Sequence, residues 1–368
     1  MNKKIKIFFF HPYSKIGGAD LSISNLINSL STKDYNFNFI CLDKQKISFY
    51  LKKKIKIYAI KKNRVSLSIL NIRKIIKKNL NINQKTILVS NQYFANIIAS
   101  ISLFGLKNVK KIFLERNHIS ELSYYNNFFD FLKKKIIKFL LNPFYKYADL
   151  VICNSKLSAI DLKKNISVPV KYIYNPTYLR KKFDKYKKNI LYPYKYIINV
   201  SRFEKQKDHM TLLKSFKNIQ QFTNYHLILI GYGSEEINIK NYIKNNFLEK
   251  YVKIISNSNN ALPYIKNAEI FILTSVYEGL PNVIIESIAL GTPVISSNCK
   301  SGPSEILLNG KGGDLFEQGD HDRLSEQIIA HYKNPNILKK KLLLSQKYLF
   351  RFDQNLISKK FDKIFRSM

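Results

Sequence analysis

A chain of 368 residues, 45% hydrophobic and 24% charged, has the composition of an ordinary globular protein and exceeds one core of about 100–200 residues. Disordered and fibrous classes are excluded, and two domains are expected. The net charge of +37 points first to nucleic acid, yet only 8 of the 62 basic residues are Arg, whereas base-edge recognition favours the Arg fork.

Abundant Lys, Asn, Ile, Phe and Tyr with no Trp fit an AT-rich coding bias. Residues 1–180 carry +25 of the excess, so the first half is drawn to anionic surfaces, acidic lipid leaflets included. Cys41, Cys153 and Cys299 are widely spaced and without zinc spacing, and read as reduced core residues. The apolar run 5–10 is too short for a secretory leader, and no stretch reaches about 18 uncharged apolar residues. Neither secretion by a leader nor a membrane span is expected.

In chain order, the first predicted strand, IKIFFF (5–10), leads into a loop with Gly17 and Gly18 and a helix carrying Leu21, Leu26, Ile27 and Leu30. Paired glycines at a helix start admit an anion to free N–H groups, and they also make ordinary strand-to-helix turns. Strands follow at 37–42, 86–90 and 110–115, the last running into FLERNHIS with His118. In the helix 126–145, Phe128, Leu132, Ile136, Phe139 and Leu140 share a face, and Lys133, Lys134, Lys135 and Lys138 fill the rest. Two readings fit that pattern: packing on a sheet, or lying in a membrane surface. Strands at 149–154 and 171–175 close the first half, and 175–195, with two prolines and many charges, reads as a linker.

The second half repeats the scheme, with strands at 196–201, 226–231, 252–256, 269–275 and 293–298. Short apolar strands separated by amphipathic segments predict parallel sheets covered by helices, with ligands at the strands' carboxyl ends. After 196–201, Arg202 and Lys207 suit a diphosphate and Asp208 an N-cap. After 269–275, EGLPNVIIE puts Glu278 and Gly279 on a loop, Pro281 at the first helical position and Glu286 about five residues into the helix. Both glutamates approach from one side, which suits a clamp on one ligand better than an acid and base pair. Asp320-His321-Asp322 imitates a metal-binding Asp-x-Asp, but it precedes an amphipathic helix, where capping explains it.

Together, Gly17-Gly18-Ala19-Asp20, Arg202 with Lys207, and Glu278-Gly279-Leu280-Pro281-x4-Glu286 followed by LGTPVISSNCKSGPSEIL resemble the GT-B fold retaining glycosyltransferases of family 4. The match runs in order over nearly the whole chain. It implies an α/β protein of two Rossmann-like doubly wound domains facing a central cleft: 1–180 on the acceptor side, 190–345 for the donor, and a helix in 346–368 packing back toward the first domain. It also implies transfer of a hexose or N-acetylhexosamine from a nucleotide diphosphate sugar, UDP favoured, without metal or cofactor.

By the same resemblance, Arg202 and Lys207 neutralise the diphosphate, and Glu278 and Glu286 hold sugar and ribose. Gly279, Leu280, Pro281 and Asn282 form the helix mouth, Gly17 and Gly18 border the phosphates, and His118 faces the sugar as a hydrogen-bond partner. The expected acceptor is a lipid-linked or soluble glycan, a polyprenyl-diphosphate-linked one favoured, in surface polysaccharide or glycoconjugate synthesis, met in the cytoplasm at the anionic inner face of the cell membrane, with no nucleic acid as partner. Alternatives are a GT-B nucleotide-sugar epimerase and a basic nucleic-acid-binding protein.

Overall fold

The computed structural model describes residues 4–12, 17–43, 51–53, 55–256, 258 and 260–368. Side chains alternate along β1 (Ile5–Phe10), so Phe8 and Phe10 belong to one core layer and Ile7 and Phe9 to another. All four are at most 1% exposed. A strand buried on both faces requires cover on both.

That cover comes from the elements that follow: α1 (Gly18–Ser29), β2 (Tyr35–Cys41), β3 (Lys56–Ala59), α2 (Ile69–Asn79), β4 (Thr86–Asn91), α3 (Tyr93–Ser102), β5 (Lys110–Glu115), α4 (Phe128–Tyr145), β6 (Leu150–Cys153), α5 (Lys156–Lys163) and β7 (Val170–Tyr172). Among the described residues the seven strands form a parallel sheet in the order β3-β2-β1-β4-β5-β6-β7. Ile72 and Ile76 of α2, Ile97 and Ile98 of α3, and Ile137, Leu141 and Tyr145 of α4 pack on the Phe8 side.

The second sheet is built likewise. Its elements are α6 (Arg180–Phe183), β8 (Tyr196–Val200), α7 (His209–Ile219), β9 (His226–Ile230), α8 (Glu236–Asn245), β10 (Val252–Ile255), α9 (Leu262–Asn267), β11 (Ile270–Leu273), α10 (Asn282–Leu290), β12 (Val294–Ser297), α11 (Pro303–Ile306), β13 (Asp314–Phe316), α12 (His321–Lys333) and α13 (Asn336–Lys347). The strand order is β10-β9-β8-β11-β12-β13, again parallel. Leu212, Leu213 and Phe216 of α7 and Leu324 and Ile328 of α12 share one core with Ile197, Leu229 and Ile272.

A final helix, α14 (Gln354–Ser367), returns to the first sheet, where Ile357, Phe361 and Phe365 join Ile7, Phe9 and Phe39. The chain therefore divides into unit 1, Met1–Thr177 with Phe352–Met368, and unit 2, Tyr178–Arg351. Two strands escape the sequence reading. β3 is an edge strand whose Lys-rich run breaks the apolar pattern, a usual protection of an exposed edge. β13, of three residues, is too short to register.

In each sheet the order reverses beside the first strand, between β1 and β4 in unit 1 and between β8 and β11 in unit 2. Open α/β sheets bind ligands at the carboxyl end of such a switch point. In unit 2 the loops after β8 and β11 flank that point.

Candidate active site

The loop after β8 carries Arg202 and Lys207, and the loop after β11 carries Glu278. Backbone and side-chain bonds zip the two loops together. The Val276 N–H donates to the Gln206 carbonyl (2.8 Å), Gln206 Nε2 to the Tyr277 carbonyl (2.7 Å) and Thr274 Oγ1 to the Lys207 carbonyl (2.8 Å). Asp208 ends the first loop in a left-handed conformation (φ 45°) and caps α7, accepting from the Thr211 N–H at 3.2 Å.

This zipper brings together two residues 71 positions apart. Lys207 Nζ pairs with Glu278 Oε1, the two side chains being 14% and 9% exposed. Ser275 Oγ donates to the same oxygen at 2.7 Å. Both bonds end on Oε1, so among the described residues Oε2 accepts none. Lys207 offers three N–H donors, and one is spent on Glu278. The pair thus presents free donors and a free acceptor side by side.

α10 begins at Asn282 with Pro281 as N-cap, one position later than the sequence suggests, and ends at Gly291 in the left-handed region (φ 85°). Leu280 is buried, which anchors the helix mouth. Gly302 holds the mouth from behind: its φ is +89°, and a Cβ there would lie 2.4 Å from the Gly279 carbonyl oxygen and 2.6 Å from Pro281 Cδ. Ser301 Oγ donates to that Gly279 carbonyl at 3.0 Å. Glu286 lies in the second turn, half-buried, and burial raises its pKa against the counter-effect of Lys182. Cys299, buried near Glu278, has its thiol pushed up to about 12 by burial and then by the Glu278 charge. Arg202 is exposed.

The expected residues of unit 1 fall differently. Gly17 is the extended N-cap of α1 (φ −162°) and Gly18 its first residue, while residues 13–16 of that loop lie outside the described residues. His118 does not present an open ring. It is 2% exposed, its Nδ1 accepts from the Ser120 N–H at 3.1 Å, and its Nε2 lies 2.8 Å from Asp161 Oδ2. The ring caps the short turn Ile119–Ser123 and ties it to α5.

Sequence reasoning passed over the polar cluster at the unit 1 switch point. His11, after β1, lies 3.1 Å from Asp20 Oδ1 and 2.9 Å from Asn91 Nδ2. Arg116 Nε donates to Asn91 Oδ1 (2.7 Å), and its Nη1 to Ser22 Oγ (3.1 Å) and Asn175 Oδ1 (2.8 Å). Arg116 stands two residues before His118 in FLERNHIS, and nothing local in the sequence ties it to Asn91, Ser22 or Asn175. Asp320 caps α12, accepting from the Arg323 N–H at 2.8 Å.

Two parallel doubly wound sheets, each with a switch point beside its first strand, define the fold as GT-B. The crystal structure of Anabaena HepE in complex with UDP and glucose superposes with a TM-score of 0.80 at 17% identity, over 99% of this chain and 100% of that one. Residues 180–343, nearly all of unit 2, match the family model of the glycosyl transferases group 1.

Among curated proteins, an uncharacterized glycosyltransferase of Haemophilus influenzae is 26% identical over 341 residues, 90% of this chain and 91% of that one. The N-acetylgalactosamine-N,N'-diacetylbacillosaminyl-diphospho-undecaprenol 4-alpha-N-acetylgalactosaminyltransferase of Campylobacter jejuni is 28% identical over 265 residues, 71% of this chain and 70% of its own.

Proposed function

We propose that the protein transfers a hexose or N-acetylhexosamine, with retention, from a UDP-sugar to a polyprenyl-diphosphate-linked glycan in surface polysaccharide or glycoconjugate synthesis. The observation that carries this is the Lys207 and Glu278 pair beside the start of α10. Its free ammonium donors suit diphosphate oxygens, and Glu278 Oε2 suits a sugar hydroxyl. The N–H groups at the start of α10 and the exposed Arg202 add positive potential, and Glu286 takes the ribose hydroxyls. The UDP bound by the Anabaena protein and the diphospho-undecaprenol acceptor named for the Campylobacter relative support donor and acceptor classes.

In this reading the anomeric carbon–oxygen bond to the diphosphate breaks as the acceptor hydroxyl attacks from the same face. A diphosphate oxygen takes the hydroxyl proton, and the new glycosidic bond keeps the configuration. The protein's task is to hold negative charge on the departing diphosphate through Arg202, Lys207 and the helix mouth, with no metal ion. The acceptor lipid places the enzyme at the inner face of the cell membrane. Among the described residues no helix is long and apolar enough to cross one.

The test is mass-spectrometric screening of the purified protein against UDP-, GDP- and dTDP-sugars with a lipid-diphosphate glycan. A UDP-sugar is expected to give product, and Lys207→Ala or Glu278→Ala is expected to lower turnover at least about 100-fold with the fold retained. No nucleotide binding and no product across the panel refutes the proposal. Salt-steep DNA or RNA affinity indifferent to Glu278 would favour the basic nucleic-acid binder instead.

A further inference from the structure

Helix α4 buries one face and leaves a second apolar face bare. Ile137, Leu141 and Tyr145 enter the unit 1 core. At about 100° per residue, Phe128, Leu132, Ile136 and Phe139 form a stripe away from that face, with Phe129 at its edge. They are 68%, 42%, 56%, 80% and 81% exposed, respectively, for Phe128, Leu132, Ile136, Phe139 and Phe129. Of the stripe whose sequence pattern allowed core or membrane, Leu140 packs partly against the core, and Phe128, Leu132, Ile136 and Phe139 do not. A helix face left to water carries polar side chains, and a contiguous exposed apolar patch marks a contact surface.

Charge decides among the occupants. Exposed Lys133 and Lys135 flank the stripe on its two sides, and Lys138 lies beyond Lys135. Asp130, the one acidic residue of the helix, is already paired with Lys134 at 3.0 Å. A second copy docked on this stripe would set lysine against lysine in a chain of net charge +37. A bilayer carrying anionic headgroups meets both requirements, since the Phe and Ile side chains enter the acyl boundary while lysine stems reach back to phosphate.

We infer that α4 docks unit 1 on an anionic lipid bilayer through Phe128, Phe129, Leu132, Ile136 and Phe139, with Lys133, Lys135 and Lys138 on the headgroups. This deepens the lipid-linked acceptor reading and rests on it for its purpose, but it is read with neither donor nor acceptor present. The experiment is co-sedimentation of the full chain with vesicles of phosphatidylcholine containing about one-third phosphatidylglycerol, against pure phosphatidylcholine.

Binding to the anionic vesicles is expected to be at least about tenfold tighter. The combined variant Phe128→Ser, Phe129→Ser, Phe139→Ser is expected to lose at least about tenfold of it at unchanged melting temperature. Lys133→Glu with Lys135→Glu and Lys138→Glu should abolish the preference for phosphatidylglycerol. Wild-type protein that ignores both vesicles, or a serine variant that binds as well as wild type, overturns the inference. So does a wild-type dimer that the serine variant dissolves, which assigns the stripe to a second copy. Vesicle binding intact with no turnover on any donor would leave the docking standing and sink the glycosyl-transfer reading alone.

Discussion

Lys207 and Glu278 stand close enough and deep enough that each is the other's chief counter-charge. Cutting either back to alanine leaves a mostly buried charge without compensation, which costs up to about 3–5 kcal/mol. Loss of turnover in those variants is therefore informative only beside a melting curve. Gly302 offers a cleaner probe of the same mouth. Gly302→Ala has to displace the Gly279 carbonyl or Pro281 as well as hold φ at +89°. It is expected to destabilise unit 2 by about 2–3 kcal/mol and to weaken UDP-sugar affinity at least tenfold. Gly310→Ala is the control: φ is +87°, but the nearest atoms are 4.0 Å away, so only about 1 kcal/mol of strain is expected and affinity should hold. Calorimetry and titration with UDP-sugar measure both, and equal effects from the two variants would mean that the contact with the mouth is immaterial.

At the scale of elements, the C-terminal end of β5 meets α3 and α4 through a buried carboxyl. Tyr145 Oη and Asn96 Nδ2 both donate to Glu115 Oε1, the latter at 2.6 Å, and Oε2 has no partner among the described residues. Burial raises the Glu115 pKa from 4.5 to about 8. A carboxyl raised in the folded state adds stability below its unfolded pKa, and that contribution is lost as pH rises through about 8. Glu115→Gln is expected to flatten the fall in unit 1 melting temperature between about pH 5 and 8. An unchanged slope would show that Glu115 is not its source.

None of this network was visible beforehand, because Glu115 in KKIFLE reads only as the polar end of a strand. The central strands, by contrast, were legible as apolar runs, since burial on both faces writes itself into composition. Loop residues were legible as motifs but not as neighbours: no local pattern announces that Lys207 touches Glu278 or that Gly302 backs Gly279. Nor does any local pattern tie His118 to its partner Asp161, 43 positions away.

At the scale of the molecule, unit 2 is an insertion. Unit 1 is interrupted after Thr177 and resumes at Phe352. Its resumed segment is structural: Tyr35 Oη donates to Asp362 Oδ1 at 2.6 Å, and Ile357, Phe361 and Phe365 complete the core around Phe9 and Phe39. A chain ending at Arg351 is expected to keep the unit 2 melting transition and UDP affinity while losing the cooperative transition of unit 1 and most of its solubility. Two intact transitions in that truncated chain would mean that α14 is dispensable.

The same order of segments matters while the protein is being made. A ribosome adds about 5–20 residues per second, so the first sheet waits roughly 10–35 s, while residues 178–351 are translated, before α14 emerges. During that interval the nascent chain carries a naked aromatic surface around Phe9 and Phe39, open to chaperones and to neighbouring nascent chains alike.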